Sequence, residues 1–392
     1  MKPLFVFTAD LHLEDGAWTT RPGIYGDAYY SFAQIVDYCI KNRLPLILGG
    51  DVLEKKSNAA RPIAKLCEGL SEMQQAEVPV YYIQGNHEYD RNAPWLSVHS
   101  WPQHIHRQIV EIHGYTVYGL DWLPKGEIQA AFKEVPSGTH ILITHQVWED
   151  FMKGVGRTEC AITDVHNVRT ILAGDFHVTT QIEGVNADGL RTEMLSPGSI
   201  CMQDLGECPS KWFFVINGKP DGGFEFERKN LETRPFASLV VNDQEYLDQL
   251  CAGGLAQEVE VLNAQISDGA RHSGIDKAIL RVKFNKALPD AFLRLTTAIG
   301  DACHLFCEAL AERGQAERQP TTRSSAKNDL LAALGDLLGD DTPAYQLAAA
   351  LVAAEDPAKR LDTAFADFQE GTCYAAVETG SPELGAPSPS GM

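Results

Sequence analysis

The chain has 392 residues, of which 44% are apolar and 22% are charged, a globular composition that excludes collagen-like, fully disordered and coiled-coil proteins. No apolar run approaches the roughly 18 residues that span a bilayer. The net charge of −20 excludes a protein that coats nucleic acid through a broadly basic surface, because phosphate neutralisation needs cations. Any contact with nucleic acid must therefore be local, or be helped by metal ions or by a partner.

The N-terminus and the cysteines predict a cytoplasmic location. The apolar run Leu4–Phe7 is too short for a signal peptide, and Asp10 follows it closely. The nine cysteines include no CxxC pair, so the sequence indicates neither a disulfide framework nor a thiolate zinc site.

From Leu4 to about Thr233, short apolar runs alternate with helical segments, which predicts a layered α/β domain. Each run is too short for a buried helix and is rich in Ile, Val, Leu and aromatic residues, so buried strands are expected. The predicted strands are Leu4–Phe7, Leu44–Leu48, Val78–Ile83, Ile141–Ile143 and Ile171–Ala173. The predicted helices are Asp37–Lys41 and Ala60–Gln75.

Around Arg234-Pro235 the pattern changes to that of a small α+β domain. The predicted strands there are Phe236–Val241, Ala278–Phe284 and His304–Leu310, and the predicted helices are Leu247–Cys251 and Pro289–Ala302. We therefore expect one domain over residues 1–232 and a second over residues 233–313.

The remaining residues predict a detachable helical element. Residues 314–328 contain no apolar residue larger than alanine, apart from one proline, and are predicted to be a linker. Helices are predicted over residues 329–370, and the Gly-, Pro- and Ser-rich residues 371–392 are expected to be a disordered tail. The helices can dock on a partner or pack on each other, and their amphipathicity does not decide between the two.

Polar clusters follow the five predicted strands of the first domain directly, where parallel sheets carry their sites. They are Asp10-Leu11-His12, Gly50-Asp51-Val52-Leu53-Glu54, Gly85-Asn86-His87-Glu88, Thr144-His145 and Gly174-Asp175-Phe176-His177. In extended chain, residues two apart point the same way, so Asp10 with His12 can direct two donors at one point. Three carboxylates, three imidazoles and one carboxamide suit Mn²⁺, Fe²⁺ or Zn²⁺, and seven donors fit two ions that share a bridge.

These clusters resemble the calcineurin-like metallophosphoesterases, whose pattern is DxH, GD, GNH followed by Asp or Glu, a lone His, and GHxH. Four of the five clusters match as written, and the resemblance covers about residues 4–200. It implies an α/β fold: a four-layer metallophosphoesterase β-sandwich flanked by helices, with a small α+β capping domain and a C-terminal helical segment.

The resemblance also implies two divalent metal ions, most simply Mn²⁺, with Mg²⁺ as the alternative. Metal one would be held by Asp10, His12, Asp51 and His177, and metal two by Asp51, Asn86, His145 and Asp175. His87 would not be a ligand but would stabilise charge or protonate the leaving oxygen. Glu54 is predicted to orient His87.

Asp175 departs from the family pattern, which has a histidine at this place. A carboxylate is a harder, anionic donor, so it should favour Mn²⁺ or Mg²⁺ over softer ions. Two other interpretations stay open: metal two is loosely held, or Asp175 is a loop residue that forms an Asx-turn.

Within the family, the chain resembles the SbcD-type DNA-repair nucleases more than the protein phosphatases, because the GDxxDRG block is absent. The Ser196-Pro197-Gly198-Ser199 loop, the Thr233–Phe236 entry into the second domain and the C-terminal helices follow the order of that branch. The resemblance implies a manganese-dependent exonuclease or endonuclease at DNA ends, acting in repair or recombination. It further implies an SbcC-like coiled-coil ATPase that docks on the C-terminal helices, and a homodimer.

DNA contacts are predicted from loops around the site. The candidates are Lys55, Lys56, Arg61, Tyr89 and Arg91, and the aromatic residues that could stack on a base are Tyr29, Tyr30, Trp95 and Trp101. Each of them also has an ordinary interpretation as a solvated or core residue. His104 and His106 have ligand spacing but no carboxylate block beside them, so we expect a surface or structural role.

Two other functions remain open on sequence grounds. One is a phosphodiesterase or phosphatase acting on nucleotides or phosphoproteins through the same dinuclear site. The other is a non-catalytic scaffold in which Asp175 marks decay of the site, although the other donors are retained.

Overall fold

The computed structural model describes residues 2–15, 23–55, 59–91, 99–153, 157–220, 222–288 and 290–310. The predicted linker, C-terminal helices and tail lie outside these residues, and so do Lys56 and Trp95.

The strands of the described residues form three sheets. They are β1 (Lys2–Thr8), β2 (Leu46–Gly49), β3 (Val80–Ile83), β4 (Gln103–His104), β5 (Ile109–Ile112), β6 (Tyr115–Leu120), β7 (Ile141–His145), β8 (Thr170–Gly174), β9 (Thr180–Val185), β10 (Arg191–Ser196), β11 (Lys211–Gly218), β12 (Phe224–Leu231), β13 (Phe236–Val241), β14 (Ile279–Asn285) and β15 (His304–Leu310). The order in the two large sheets is β12-β11-β1-β2-β3-β4 and β5-β6-β7-β8-β10-β9. In the first sheet the parallel run β1-β2-β3-β4 is followed on one side by antiparallel β11 and β12, and in the second sheet the parallel run β6-β7-β8-β10 lies between antiparallel β5 and β9.

Eight α-helices lie within the described residues. They are α1 (Asp27–Asn42), α2 (Ala60–Gln75), α3 (Lys125–Phe132), α4 (Glu149–Met152), α5 (Gln244–Gln249), α6 (Leu255–Ala264), α7 (Asp268–His272) and α8 (Ala291–Ile299). The helix predicted over residues 60–75 has those bounds, whereas the one predicted to begin at Asp37 begins at Asp27. None of the helices within the described ranges is long and apolar enough to cross a membrane.

The four layers follow from where the apolar side chains lie. Phe5, Phe7 and Ile47 of the first sheet pack against Ile143 and Leu172 of the second, which makes a central core between the sheets. The outer face of the first sheet is covered by α1 and α2, and that of the second sheet by α3. The predicted α/β β-sandwich flanked by helices is therefore confirmed.

The third sheet, in the order β13-β14-β15, is entirely parallel and packs against α5, α6 and α8. The strands predicted to begin at Phe236 and His304 have the predicted bounds. The helix predicted over residues 289–302 is shorter, over 291–299, and the one predicted over 247–251 runs from α5 into a π-helical turn at residues 250–254. The domain boundary after residue 232 stays a prediction.

Buried Arg234 joins this third sheet to the start of α1, the helix that packs on the first sheet. Its guanidinium donates to both carboxylate oxygens of Asp27, at 2.9 and 2.8 Å, and to the carbonyl oxygen of Tyr25 at 2.8 Å. It also donates to the carbonyl oxygen of Lys277, just before β14. Because a buried charge is costly unless it is paired, these contacts hold the start of α1 against the third sheet.

Candidate metal centre

The polar clusters at the carboxyl ends of β1, β2, β3, β7 and β8 meet at one end of the two large sheets. Donor atoms that lie within 4.8 Å of one another form three overlapping groups: Asp10, His12 and His177; Asp10, Asp51 and His145; and His12, Glu54 and His87. The sequence-predicted donors are thus brought together from both sheets.

The backbone turns sharply where these donors lie. Asp10, His12, Asp51 and Asp175 have φ values of 53°, 46°, 49° and 79°, in the left-handed region that non-glycine residues adopt rarely. The extended conformation expected for Asp10 and His12 is therefore wrong, although their side chains do converge. Such conformations cost about 1–3 kcal/mol each and persist where the surroundings hold them, as functional sites often do.

Gly50 permits a close approach between two of these loops. Its φ is 95°, and a Cβ atom at this position would lie 2.4 Å from His145 Nδ1 and 2.8 Å from the backbone nitrogen of Gly85. A glycine directly before Asp51 therefore lets the loops of the two sheets meet.

One set of donors surrounds the Asn86 amide. Its side-chain oxygen faces only hydrogen-bond acceptors, since Asp51 Oδ2, His145 Nε2 and Asp175 Oδ1 each lie 3.2 Å from it. His145 Nε2 is 3.2 Å from Asp51 Oδ2 and 3.7 Å from Asp175 Oδ1. Donors about 2.1 Å from a single ion stand about 3–3.5 Å apart, so these four atoms fit one divalent cation. A reversed amide that donates its hydrogens is the alternative arrangement.

A second set lies beside the first. His12 Nε2 is 3.0 Å from His177 Nε2 and 3.8 Å from Asp51 Oδ2. Asp10 Oδ2 is buried and has no hydrogen-bond partner among the described residues, which leaves a carboxylate oxygen free to bind a cation. Asp51 Oδ2 borders both sets, as a bridging ligand must.

Each imidazole of these sets is held through its other ring nitrogen, so that Nε2 faces the donor cluster. His12 Nδ1 donates to Glu54 Oε2 at 2.6 Å, and His177 Nδ1 donates to Glu207 Oε1 at 3.0 Å. His145 Nδ1 donates to the carbonyl oxygen of Gly49 at 2.8 Å. Two imidazoles are therefore backed by carboxylates and one by the main chain.

The protein groups create a strongly negative site. Burial lowers the pKa of His12, but its hydrogen bond to Glu54 and the charges of Asp51 and Asp10 outweigh burial and raise it to about 9. Burial raises the pKa of Asp175, His145 lowers it, and the charges of Asp10 and Asp51 bring it to about 6. A site that raises a buried imidazole's pKa in this way also attracts a cation.

His87 stands at the rim of the site. Its Nδ1 donates to the main-chain oxygen of Glu54 at 2.7 Å, and its backbone N–H donates to Asp51 Oδ1 at 3.0 Å. The Glu54 carboxylate is 3.5 Å from His87 Nδ1 but 2.6 Å from His12 Nδ1. The nearer contact of the Glu54 carboxylate is thus with His12, and the main chain of Glu54 holds His87; the role of Glu54 in orienting His87 stays a prediction.

Two carboxylates close to the donors were missed as participants in the sequence analysis. Glu88 accepts from the backbone N–H groups of Gly85 and Val52 and shapes the loop that carries Asn86; burial and the charge of Asp51 raise its pKa to about 8. The sequence feature that could have identified Glu88 is its position directly after Gly85-Asn86-His87. Glu207 had no signal of its own, because it is near His177 only in space.

The predicted DNA-contacting side chains that the structure describes already have partners. Lys55 pairs with Glu14 at 3.0 Å, Arg61 with Asp15 at 3.4 Å and Arg91 with Glu127 at 2.6 Å, and the Tyr89 hydroxyl accepts from Arg91. All three cations are exposed and can exchange partners. Their contact with DNA stays a prediction.

The aromatic and histidine candidates have mainly structural surroundings. Tyr29 and Tyr30 are buried and donate to Asp15 and Glu232, and Trp101 donates to the carbonyl oxygen of Val78. His104 and His106 lie beside buried Asp121, which accepts from the backbone N–H and the side chain of Gln84. The surface or structural role expected for this pair agrees with those contacts.

Comparison with known proteins identifies the class. Residues 3–179, just under half of the chain, match the family model of the calcineurin-like phosphoesterases, so this part of the chain is a calcineurin-like metallophosphoesterase domain, as its motifs predicted. Proteins of this class are metal-dependent phosphodiesterases and related esterases.

Two curated relatives are both named DNA double-strand break repair protein Mre11. The protein from Haloferax volcanii is 24% identical over 247 residues, which are 60% of this chain and 54% of the relative. The protein from Methanosarcina acetivorans is 22% identical over 226 residues, which are 54% of this chain and 36% of the relative. The chain thus spans about half, or less, of the length of these relatives.

A solved structure described as a novel archaeal phosphodiesterase aligns with 57% of this chain and 99% of its own, at 10% identity and a TM-score of 0.31.

Proposed function

We propose that this chain is a manganese-dependent DNA nuclease that hydrolyses phosphodiesters at DNA ends, as an exonuclease or endonuclease, in repair or recombination. The observation that carries the proposal is the pair of donor sets that share Asp51, with His87 at their rim. The names of the two Mre11 relatives support DNA as the substrate class.

In this proposal metal one is held by Asp10, His12, Asp51 and His177, and metal two by Asp51, Asn86, His145 and Asp175. When bound, two divalent ions supply an activated water and neutralise charge at the phosphate. The seven donors position the ions, and the carboxylate or carbonyl behind each imidazole keeps Nε2 directed at them.

His87 is suited to act on the leaving oxygen. The main-chain oxygen of Glu54 accepts from Nδ1, so Nε2 can carry a proton towards the substrate. Its side chain is 34% exposed, and Nε2 is 3.9 Å from Asp51 Oδ2, so it lies next to the donors while remaining open to a substrate.

Manganese is the proposed metal because the donors are oxygen and nitrogen atoms and include three aspartates. Asp175 replaces the imidazole expected from the family pattern, and its carboxylate adds a hard donor and a negative charge. Mg²⁺ is the alternative under the same argument.

The proposal includes a partner and a homodimer. Net charge is −20, and Lys55, Arg61 and Arg91 each pair with a carboxylate, so binding of DNA would gain from additional positive charge beside the site. An SbcC-like coiled-coil ATPase that docks on the helices predicted over residues 329–370 would supply it. A cytoplasmic location fits the free thiols of the described cysteines.

The test is hydrolysis of end-labelled duplex and single-stranded DNA with Mn²⁺, with bis(p-nitrophenyl) phosphate as a small diester. Cleavage should be lost with EDTA and in Asp51→Ala, and kept in the matched control Asp188→Ala, whose carboxylate binds His166 away from the site. The product ladder gives the polarity.

If the small diester is hydrolysed but DNA is not cleaved, the assay is repeated with an SbcC-like ATPase added. If DNA still resists, the alternative function, a phosphodiesterase or phosphatase on nucleotides or phosphoproteins, replaces the nuclease. If no substrate is hydrolysed and no metal binds, both enzyme functions are wrong.

A further inference from the structure

A buried ion pair stands directly behind one of the donor histidines. Lys211, the first residue of β11, is only 4% exposed and donates from Nζ to Glu207 Oε2 at 2.6 Å and to Ser199 Oγ at 2.8 Å. Glu207 is 14% exposed and accepts from His177 Nδ1 at 3.0 Å through its other oxygen. A continuous chain of contacts thus runs from Lys211 through Glu207 to His177.

Both oxygens of the Glu207 carboxylate are occupied. Besides the lysine, Oε2 accepts from Ser199 Oγ at 2.9 Å and from the backbone N–H of Gln203 at 3.3 Å. Four donors therefore fix the orientation of this carboxylate, and its Oε1 in turn fixes the plane and tautomer of the His177 ring.

The Ser196–Ser199 loop supports His177, a role that its sequence did not predict. Ser199 ends the loop and contacts both members of the ion pair, while Ser196 Oγ donates to the carbonyl oxygen of Phe176 at 2.8 Å, the residue before His177. The loop therefore holds His177 from its main chain and from its side chain.

We propose that Glu207 is a positioning residue for metal one, and that Lys211 and Ser199 set the affinity for this ion by holding Glu207. The inference rests on the proposed dinuclear site. Its reason is geometric: His177 Nε2 stands 3.0 Å from His12 Nε2, a separation at which both can bind one ion, and a ring free to rotate would lose affinity.

The donors of metal two indicate which of the two metal-binding steps Glu207 affects. His12 and His177 of the first set have carboxylates behind them, whereas His145 of the second set has only the carbonyl oxygen of Gly49. A carboxylate makes the imidazole a more basic donor, so the network strengthens metal one and leaves metal two unchanged.

The experiment is equilibrium Mn²⁺ binding to the full chain, followed by the EPR signal of free Mn²⁺. In an Asn86→Ala background, which removes a donor of metal two, the remaining step reports on metal one. Glu207→Gln should weaken that step by about 10- to 100-fold, the usual effect of losing such an outer carboxylate. The matched control is Glu227→Gln, which removes the carboxylate of the exposed ion pair with Lys229 on β12.

Lys211 is tested with two variants because a buried change can impair folding. Lys211→Met should weaken the metal-one step, Lys211→Arg should restore most of it, and Glu207→Gln combined with Lys211→Met should lose no more than Glu207→Gln alone. Circular dichroism establishes that each variant is folded at the titration temperature.

The outcomes separate the inference from the proposed function. If the wild-type chain binds two Mn²⁺ ions and Glu207→Gln binds them equally well, the inference is wrong and the dinuclear site stands. If Glu207→Gln in the otherwise wild-type chain weakens both binding steps equally and lowers the melting temperature, the ion pair is merely structural and the inference is wrong. If the wild-type chain binds no Mn²⁺, the proposed function itself fails.

Discussion

Asp51 Oδ2 lies 3.2 Å from His145 Nε2, and this contact joins the two large sheets at the candidate metal centre. Asp51 follows β2 of the first sheet, and His145 is the last residue of β7 in the second. The central apolar core therefore sets the distance between metal donors. A change that shifts one sheet against the other acts on the site without touching any donor.

Replacement of His87 should separate chemistry from metal binding. In His87→Gln we expect turnover to fall at least about 100-fold, because the group that carries a proton to the leaving oxygen is lost. Mn²⁺ content should be unchanged, since neither proposed donor set includes His87. Steady-state hydrolysis and metal analysis measure the two effects, with His272→Gln in the third-sheet region as the control. Loss of bound metal would contradict the assigned role.

Replacement of Asp175 should change the choice of metal. Asp175→His restores the imidazole of the family pattern, removes a negative charge, and should lower the Mn²⁺-to-Zn²⁺ affinity ratio by about tenfold or more. Competition titration of the two ions measures the ratio. A second variant, Asp175→Asn, isolates the effect of charge, because it keeps the shape and an oxygen donor but removes the negative charge. An unchanged ratio in both variants would mean that Asp175 does not bind metal.

Removal of metal should destabilise the fold. The donors bring buried Asp10 and Asp51 together, and an ion that binds only the folded chain stabilises it by about 2.7 kcal/mol at 100 times its dissociation constant. EDTA should therefore lower the melting temperature, and added Mn²⁺ should restore it. Differential scanning calorimetry measures the shift. Asp51→Ala should respond to neither addition, and a response equal to that of the wild type would argue against this site.

His304 predicts a loss of stability in mild acid. Burial, together with the charge of Arg234, lowers its pKa from 6.5 to about 4. The unfolded chain therefore binds a proton first as the pH falls below 6.5, and this stability is lost progressively down to pH 4. Since His304 is only half buried, we discount the effect to about 1 kcal/mol at pH 5.

The measurement is the urea midpoint at pH 7 and pH 5 for the wild type and His304→Gln. The variant should lose less stability between the two pH values, because glutamine does not titrate. The carboxylates of the metal centre also respond to pH, but they are common to both proteins and cancel in the difference. Equal losses would show that His304 is not the responsible group.

The strands that carry donors were predictable because they are buried on both faces and appear as continuous apolar runs. Edge strands lack that signal: β9 alternates half-buried and exposed residues along its length and was not recognised. The start of α1 was missed for a different reason. Tyr29, Tyr30 and Phe32 have modest helix propensity, and it is their packing that makes this segment helical.

The donor inventory, from Asp10 to His177, follows from the sequence because each donor lies at the end of a strand or within four residues after it, and strand ends are local features. The partners behind the donors do not. Glu54 turned out to hold the side chain of His12, 42 positions away, and Glu207 holds that of His177, 30 positions away. Contacts of this kind depend on how loops from different strands pack in three dimensions, which no local spacing encodes.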